Sequence, residues 1–145
     1  MTTVNMGSGA SYTLDTRVLD KMLKDMPQKR DAIVRKAAFE IEAKAKQLAP
    51  VDTGALMSSL FTKTKNSNTF SKATSMALQK NPKANVVPEN EFGQVKEGEA
   101  IVGSSMEYAF WVEQGHHKVR ARPFLGTAVE MERTAFEKMM KGLVL

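Results

Sequence analysis

The stretch "IEAKAKQLAPVDTGALMSSL", Ile41 to Leu60, decides the fold, because a helix has to stop inside it and a sheet has to begin. Upstream, "QKRDAIVRKAAFEIEAKAKQLA" repeats apolar residues every three to four positions: Ile33, Ala37, Ile41, Ala45 and Leu48. Val34 and Ala38 widen that stripe, charges fill the opposite face, and Ala, Lys and Glu favour helix intrinsically. The spacing predicts an amphipathic helix of about five turns. Pro50 ends it, since the residue before a proline is pushed out of the helical region. Gly54 supplies the positive φ that a chain reversal needs, while Asp52 and Thr53 offer side-chain oxygens to turn N–H groups. Pro50, Asp52, Thr53 and Gly54 therefore read as a structural turn into the first strand of the domain, "LMSSLFTKTKN".

Asp52-Thr53-Gly54-Ala55 is also how an aspartic-protease active-site loop reads. In such an enzyme two loops face each other across a dimer axis and share one proton between two carboxylates. Ile101-Val102-Gly103 could then stand for the apolar segment that supports the loop. That reading requires a buried strand before Asp52, yet a proline-closed helix precedes it. It also requires a glycine-rich flap, where this chain is rich in lysine and asparagine. A motif counts only in its structural context. Asp52 is expected to cap a turn, with a retropepsin-like dimer as the enzymatic alternative.

Working outward, residues 1–14 are rich in Gly, Ser and Thr and read as a flexible N-terminal arm that orders on assembly. Asp15 offers an N-cap to "TRVLDKMLKDM", where Val18, Leu19, Met22, Leu23 and Met26 follow helical spacing; Pro27 ends that helix or starts the next. Residues 67–88 show no period and read as a long irregular loop or insertion. "EGEAIVGS" predicts a second strand between Gly98 and Gly103. Ser104 and Glu107 fit a capping box for a short helix from Ser105 to Gln114, with Gly115 just past its end. Pro123 suits the first residue of a last helix carrying Leu125, Val129, Phe136, Met140 and Leu143. The expected fold is α+β: a long N-terminal amphipathic helix and a C-terminal helix packed on a small, mostly antiparallel sheet. At 145 residues, residues 15–145 make one domain.

Composition narrows the function. Hydrophobic residues are 42% and charged residues 26%, a globular rather than disordered balance. No apolar run approaches the roughly 20 residues of a membrane helix, and the N-terminus lacks the pattern of a secretion signal. There is no cysteine, so disulfides and thiolate metal sites are excluded. His116 and His117 alone make a poor metal site, and no cofactor motif is present.

The net charge of +5 is distributed unevenly. Phe61 to Pro88 holds five lysines and no acid, Lys63, Lys65, Lys72, Lys80 and Lys83. Glu89 to Glu113 holds six glutamates, Glu89, Glu91, Glu97 and Glu99 among them, against the single Lys96. These segments read either as solubilising surface or as opposite docking surfaces that meet across copies or against neighbouring proteins. Charge alone argues weakly for nucleic acid, because no element interleaves Arg with aromatic residues. Tyr108, Phe110 and Trp111 are too closely spaced for one short helix to bury them all. Either they pack on the long helix and the sheet, or Trp and Tyr anchor a subunit contact.

Three pieces occur in order: "IEAKAKQLAPVDTGALMSSL", "IVGSSMEYAFWVEQG" and "RARPFLGTAVE". Together they resemble a family of tailed-bacteriophage head–tail joining proteins, also known as minor tail components or neck proteins. Ala49, Pro50, Asp52, Thr53, Gly54 and Leu56 match its Ala-Pro-x-Asp-Thr-Gly-x-Leu turn. Val102, Gly103 and Ser104 match a Val-Gly-Ser strand end; Tyr108, Ala109, Glu113 and Gly115 match a Tyr-Ala-x-x-x-Glu-x-Gly helix. Arg122, Pro123, Phe124 and Leu125 match an Arg-Pro-Phe-Leu helix start. The resemblance covers Ile33 to Glu130 apart from Ser67 to Pro88; Trp111, Gln114 and His116-His117 depart from the pattern.

The resemblance implies a non-catalytic structural virion protein at the head–tail interface, assembled in the host cytoplasm. It implies a hexameric or dodecameric ring of this chain, set between a head-closure or connector protein and a tail tube or tail terminator protein. Genomic DNA passing through the channel would make non-specific contacts, and no membrane is involved. A tail terminator capping the tail tube is the alternative within the same class. Tyr108, Trp111, Glu113, Arg120, Arg122 and Phe124 are the candidate subunit interface.

Overall fold

Two strands marked in the sequence pair antiparallel at the centre of the molecule: β3 (Leu60–Thr64) and β5 (Ala100–Ser104), with Phe61 opposite Gly103 and Thr62 opposite Val102. The structure, a computed structural model, describes residues 2–5, 11–14, 17, 27–51, 54–118 and 120–143. Around this pair the sheet has the order β2-β1-β5-β3-β4. β1 (Thr2–Asn5) runs parallel to β5, β2 (Ser11–Leu14) is antiparallel to β1, and the short β4 (Ser67–Asn68) is antiparallel to β3. The sheet is mostly antiparallel and the fold is α+β, as the sequence predicts.

The strands β1 and β2 correct the reading of residues 1–14 as a flexible arm. Their β-branched and aromatic residues, Thr2, Thr3, Val4, Tyr12 and Thr13, suit a pleated surface, and the free edge of β5 supplies a ladder for β1. Of the expected helix after Asp15 only Arg17 is described, in helical conformation; the rest lies outside the described residues.

Period-two alternation in β3 and β5 sends side chains to two different cores. Leu60, Ala100 and Val102 face α1 (Pro27–Leu48) and α5 (Leu125–Gly142). Pro27 opens α1, where its missing N–H costs nothing. Val34, Ala37, Ala38, Ile41 and Ala45 form the buried stripe, and Leu48 is exposed although Ala49 after it is buried in the core. Small alanines let α1 approach α5, whose Ala128, Val129, Phe136 and Met140 complete this core. Beside it, buried Glu132 of α5 is matched by Lys44 of α1 at 3.0 Å. On the opposite face, Phe61 and Ile101 join Phe70, Ala73, Val87 and Phe92. Phe61 meets Phe70 and Phe92 edge to face, with centroids at 5.0 and 4.9 Å.

That second core overturns the long loop expected at 67–88. α3 (Phe70–Lys80) fills half of it, and a turn of 3-10 helix follows at Glu89–Phe92. Asn68 Oδ1 accepts the Phe70 N–H at 3.0 Å to start α3, and the helix gives out at Asn81, ahead of Pro82. Its buried positions are Phe70, Ala73 and Ala77, a stripe with two methyl groups for most of its length. Such a stripe is too faint in the sequence to register among Ser, Thr and Lys.

Two boundaries also move. Ala55–Ser58 forms a single helical turn, α2, so the first strand after the turn begins at Leu60 rather than Leu56. The short helix α4 covers Ala109–Gln114, not Ser105–Gln114, and its N-cap makes no side-chain bond. The capping box of Ser104 and Glu107 is therefore absent; the Ser104 hydroxyl accepts the Met106 N–H at 3.1 Å instead.

Candidate functional site

The three sequence pieces converge on two hydrogen-bonded junctions. At the first, Gly54 adopts φ 81°, the left-handed value expected of the turn, and accepts the Ser58 N–H at 3.0 Å. Pro50 is half-buried before it, whereas Asp52 and Thr53 lie outside the described residues. The elements on either side are α1 and α2, both helical. An aspartic-protease loop needs strands there, so the retropepsin-like geometry is not built. At the end of α2, Ser59 Oγ donates to the Leu56 carbonyl at 2.6 Å and stands 2.6 Å from Ser104 Oγ. A hydroxyl has one proton; that of Ser59 goes to Leu56, so Ser104 is the donor to Ser59.

The second junction is a clasp. Glu113, on the last turn of α4 and 3% exposed, turns its carboxylate onto the N-terminus of α5. Oε2 accepts the Phe124 N–H at 2.9 Å, and Oε1 accepts those of Leu125 and Gly126 at 2.8 and 3.0 Å. One side chain thus satisfies three of the N–H groups that a helix leaves without partners, and its charge suits the positive end of the dipole. Burial pushes the Glu113 carboxyl up from its ordinary value, and the three backbone bonds partly offset this. The Arg122 N–H returns to the Val112 carbonyl at 2.8 Å, so loop 115–123 is pinned at both ends.

This clasp takes up two residues of the expected interface set. Glu113 and Phe124 are buried within one subunit, Phe124 completely. The spacing of Glu113 and Phe124 carries no local signal, because eleven residues separate the acceptor from its first donor. Tyr108 is half-buried against the main core. Trp111 is 50% exposed, edge to face with Phe110 and His116 at centroid distances of 5.0 and 5.7 Å. His116 meets His117 in turn at 5.3 Å. Arg120 and Arg122 are exposed on the clasped loop. Trp111, Arg120, Arg122 and the two histidines are thus all accessible.

The lysine-rich and glutamate-rich segments meet inside one subunit, in part. Lys63 lies 3.6 Å from Glu89, which also takes a bond from Asn68, and Lys65 is 2.6 Å from Glu97. Beside Glu97, the Lys65 ammonium holds its carboxyl below the usual range. Glu99 accepts the Lys96 N–H at 3.2 Å. Lys63, Lys65, Glu89 and Glu97 are therefore already partnered, while Lys83 and Glu91 are exposed. Lys72 and Lys80 instead line a groove of about 400 Å³ between α1, α2 and α3, shared with Glu42, Lys46, Met57 and Met76. Burial pushes the Glu42 carboxyl up; Lys46 and the Thr62 hydroxyl, which it faces, act against that shift.

The ordered turn, strand end and clasp on one α+β subunit agree with a family comparison. Residues 16–115 match the HK97-gp10-like family, described as "Bacteriophage HK97-gp10, putative tail-component". The chain belongs to the HK97-gp10-like family. It is a structural component of a bacteriophage tail, and its place is in the virion. No curated protein and no solved structure matches the chain. The HK97-gp10-like match ends at Gly115, so it takes in Glu113 but not the α5 N-terminus that Glu113 holds. No helix among the described residues is long and apolar enough to cross a membrane.

Proposed function

We propose that this tail component forms a closed ring at the neck, joining the tail to the DNA-filled head. One observation carries the reading: a half-exposed indole, Trp111, is held on a surface that the Glu113 clasp makes rigid. An exposed tryptophan costs solubility in a lone subunit and earns its place as an interface anchor. Arg120 and Arg122, exposed on the loop that follows α4, are offered as the polar rim that such an anchor needs. A heterologous contact repeated around an axis closes into a ring when the rotation per subunit divides a full turn.

Two measurements test this. Native mass spectrometry of the purified chain, with labelling of the chain in intact particles, is expected to give a single ring mass located between head and tail. A chain that stays monomeric at high concentration overturns the ring. Deletion of the gene is expected to leave finished tails of normal length beside unattached heads. Tails of uncontrolled length would instead assign the ring to tail termination.

A further inference from the structure

The groove between α1, α2 and α3 is lined by Met57, Leu60 and Met76 together with Lys46, Lys72 and Lys80. Lys72, Met76 and Lys80 stand four residues apart in turn on α3, so they form one row along the helix. All three are exposed, Met76 at 44%. At 1.5 Å of rise per residue the two lysines are about 12 Å apart, with the thioether midway between them. Phe70, Ala73 and Ala77 are buried on the other side of α3, so the row is fixed to the fold. Among the described residues, Lys72 and Lys80 form no ion pair, unlike Lys63 and Lys65 of the same segment. α3 itself carries no acid, and the only acid lining the groove is Glu42, which Lys46 already faces.

The complement of this row is a segment with carboxylates on either side of a large apolar side chain, spaced by four residues where the segment is helical. The described surface of this chain offers none. Outside the groove its exposed large apolar side chains are Leu48, Val51, Trp111 and Met131. Leu48 and Val51 follow Lys44 and Lys46, and Trp111 precedes a loop that carries Lys118, Arg120 and Arg122 and no acid. Met131 lies on α5, where exposed Arg133, Lys138 and Lys141 outnumber Glu130 and Glu137. In the glutamate-rich segment the apolar residues Phe92 and Val95 are packed into the second core. The occupant therefore comes from another protein.

We propose that this groove docks an acidic amphipathic segment of a different virion protein, which seats a large apolar side chain between Lys72 and Lys80 and sets a carboxylate against each. The apolar lining favours protein over nucleic acid, because a phosphate backbone has nothing to place against Met57 and Leu60. Burial of the apolar anchor drives the contact, and the two charge pairs fix its register. Methionine is unbranched and flexible, so Met57 and Met76 adapt to the incoming side chain. The contact is with a different chain and stands or falls independently of ring closure.

The experiment places the photoreactive residue p-benzoylphenylalanine in the full chain instead of Gln79, which is exposed beside the row, and irradiates assembled particles. Cross-linking is expected to a peptide of another virion protein in which acidic residues flank an apolar one. Cross-linking to DNA, to a second copy of this chain or to nothing overturns the proposal. A synthetic copy of the captured peptide is then titrated against the purified full chain by fluorescence anisotropy. Lys72→Glu/Lys80→Glu is expected to weaken binding at least about tenfold through like-charge contact, with an unchanged circular dichroism spectrum. Lys72→Arg/Lys80→Arg is expected to retain binding, and a peptide with its acids changed to lysine is expected to bind the glutamate variant again. Equal affinity of the original peptide for the parent chain and the glutamate variant overturns the assignment to this row.

Discussion

The hydroxyls of Ser59 and Ser104 lie 2.6 Å apart, joining the turn after α2 to the end of β5 across 45 residues of sequence. The Ser59 hydroxyl donates its own hydrogen bond to the Leu56 carbonyl, and Ser104 also accepts the Met106 N–H. The Ser105 N–H adds a backbone bond to the Ser59 carbonyl at 3.2 Å. Both serines are fully buried, so no water replaces a lost partner. Ser104→Ala strands the Ser59 oxygen and the Met106 N–H together. The expected loss is about 1–3 kcal/mol, read as a lower urea midpoint at unchanged slope. Full stability in this variant would show that the pair contributes nothing net.

Glu113 sets the entry of α5. Glu113→Ala leaves three buried or half-buried N–H groups without partners and removes a filled side-chain volume. A loss of about 2–4 kcal/mol is expected. Glu113→Gln keeps the volume but turns an amide NH2 group against one of the donors, so it is expected to fall between Ala and the parent. A Gln variant as stable as the parent would mean that packing, not acceptance of the three bonds, is what matters here.

Glu42 gives a pH signature. Its folded pKa lies above the ordinary carboxylate value because of burial, so the native state holds its proton more tightly than the unfolded chain does. Stability from this group therefore grows as pH falls through the folded pKa and is lost as pH rises through it. Gln mimics the protonated form. Glu42→Gln is expected to raise stability at neutral pH, read as a higher melting temperature, by less than about 1 kcal/mol given partial exposure and the lost attraction of Lys46. The advantage should close as pH falls towards 4.5. An advantage independent of pH would mean that desolvation of the carboxylate is not its source.

Trp111 separates folding from assembly. Among the described residues its aromatic partners are Phe110 and His116, and it is half exposed, so Trp111→Ala is expected to change stability by no more than about 1 kcal/mol. As an interface anchor, the same change is expected to weaken ring formation by about 2 kcal/mol or more. Native mass spectrometry and thermal melts on one preparation read both. A ring of undiminished strength would remove Trp111 from the interface.

Local chemistry made much of this fold readable. The 3.6-residue stripe of α1, its stop at Pro50, the positive φ of Gly54 and the strand "AIVGS" are each set by residues within a few positions of one another. The same holds for the start of α5, which falls two residues from Pro123. The ordered motifs around these points were enough to indicate the family, because turn and cap residues stand at fixed spacings whatever surrounds them.

Long-range partners decided the rest. Glu113 looked like a surface acid until α5 placed three N–H groups against it, and Lys63 and Lys65 looked free until the strands brought Glu89 and Glu97 beside them. α3 is held by Phe61 and Ile101 from strands on either side of it in the sequence, and β1 by the edge of β5. The sequence by itself determined where the backbone bends and which stripes are apolar, since those follow from steric limits and hydrophobic periodicity. Only the tertiary structure decided which polar groups are already satisfied within one subunit, because pairing depends on distances in space that residue spacing does not encode.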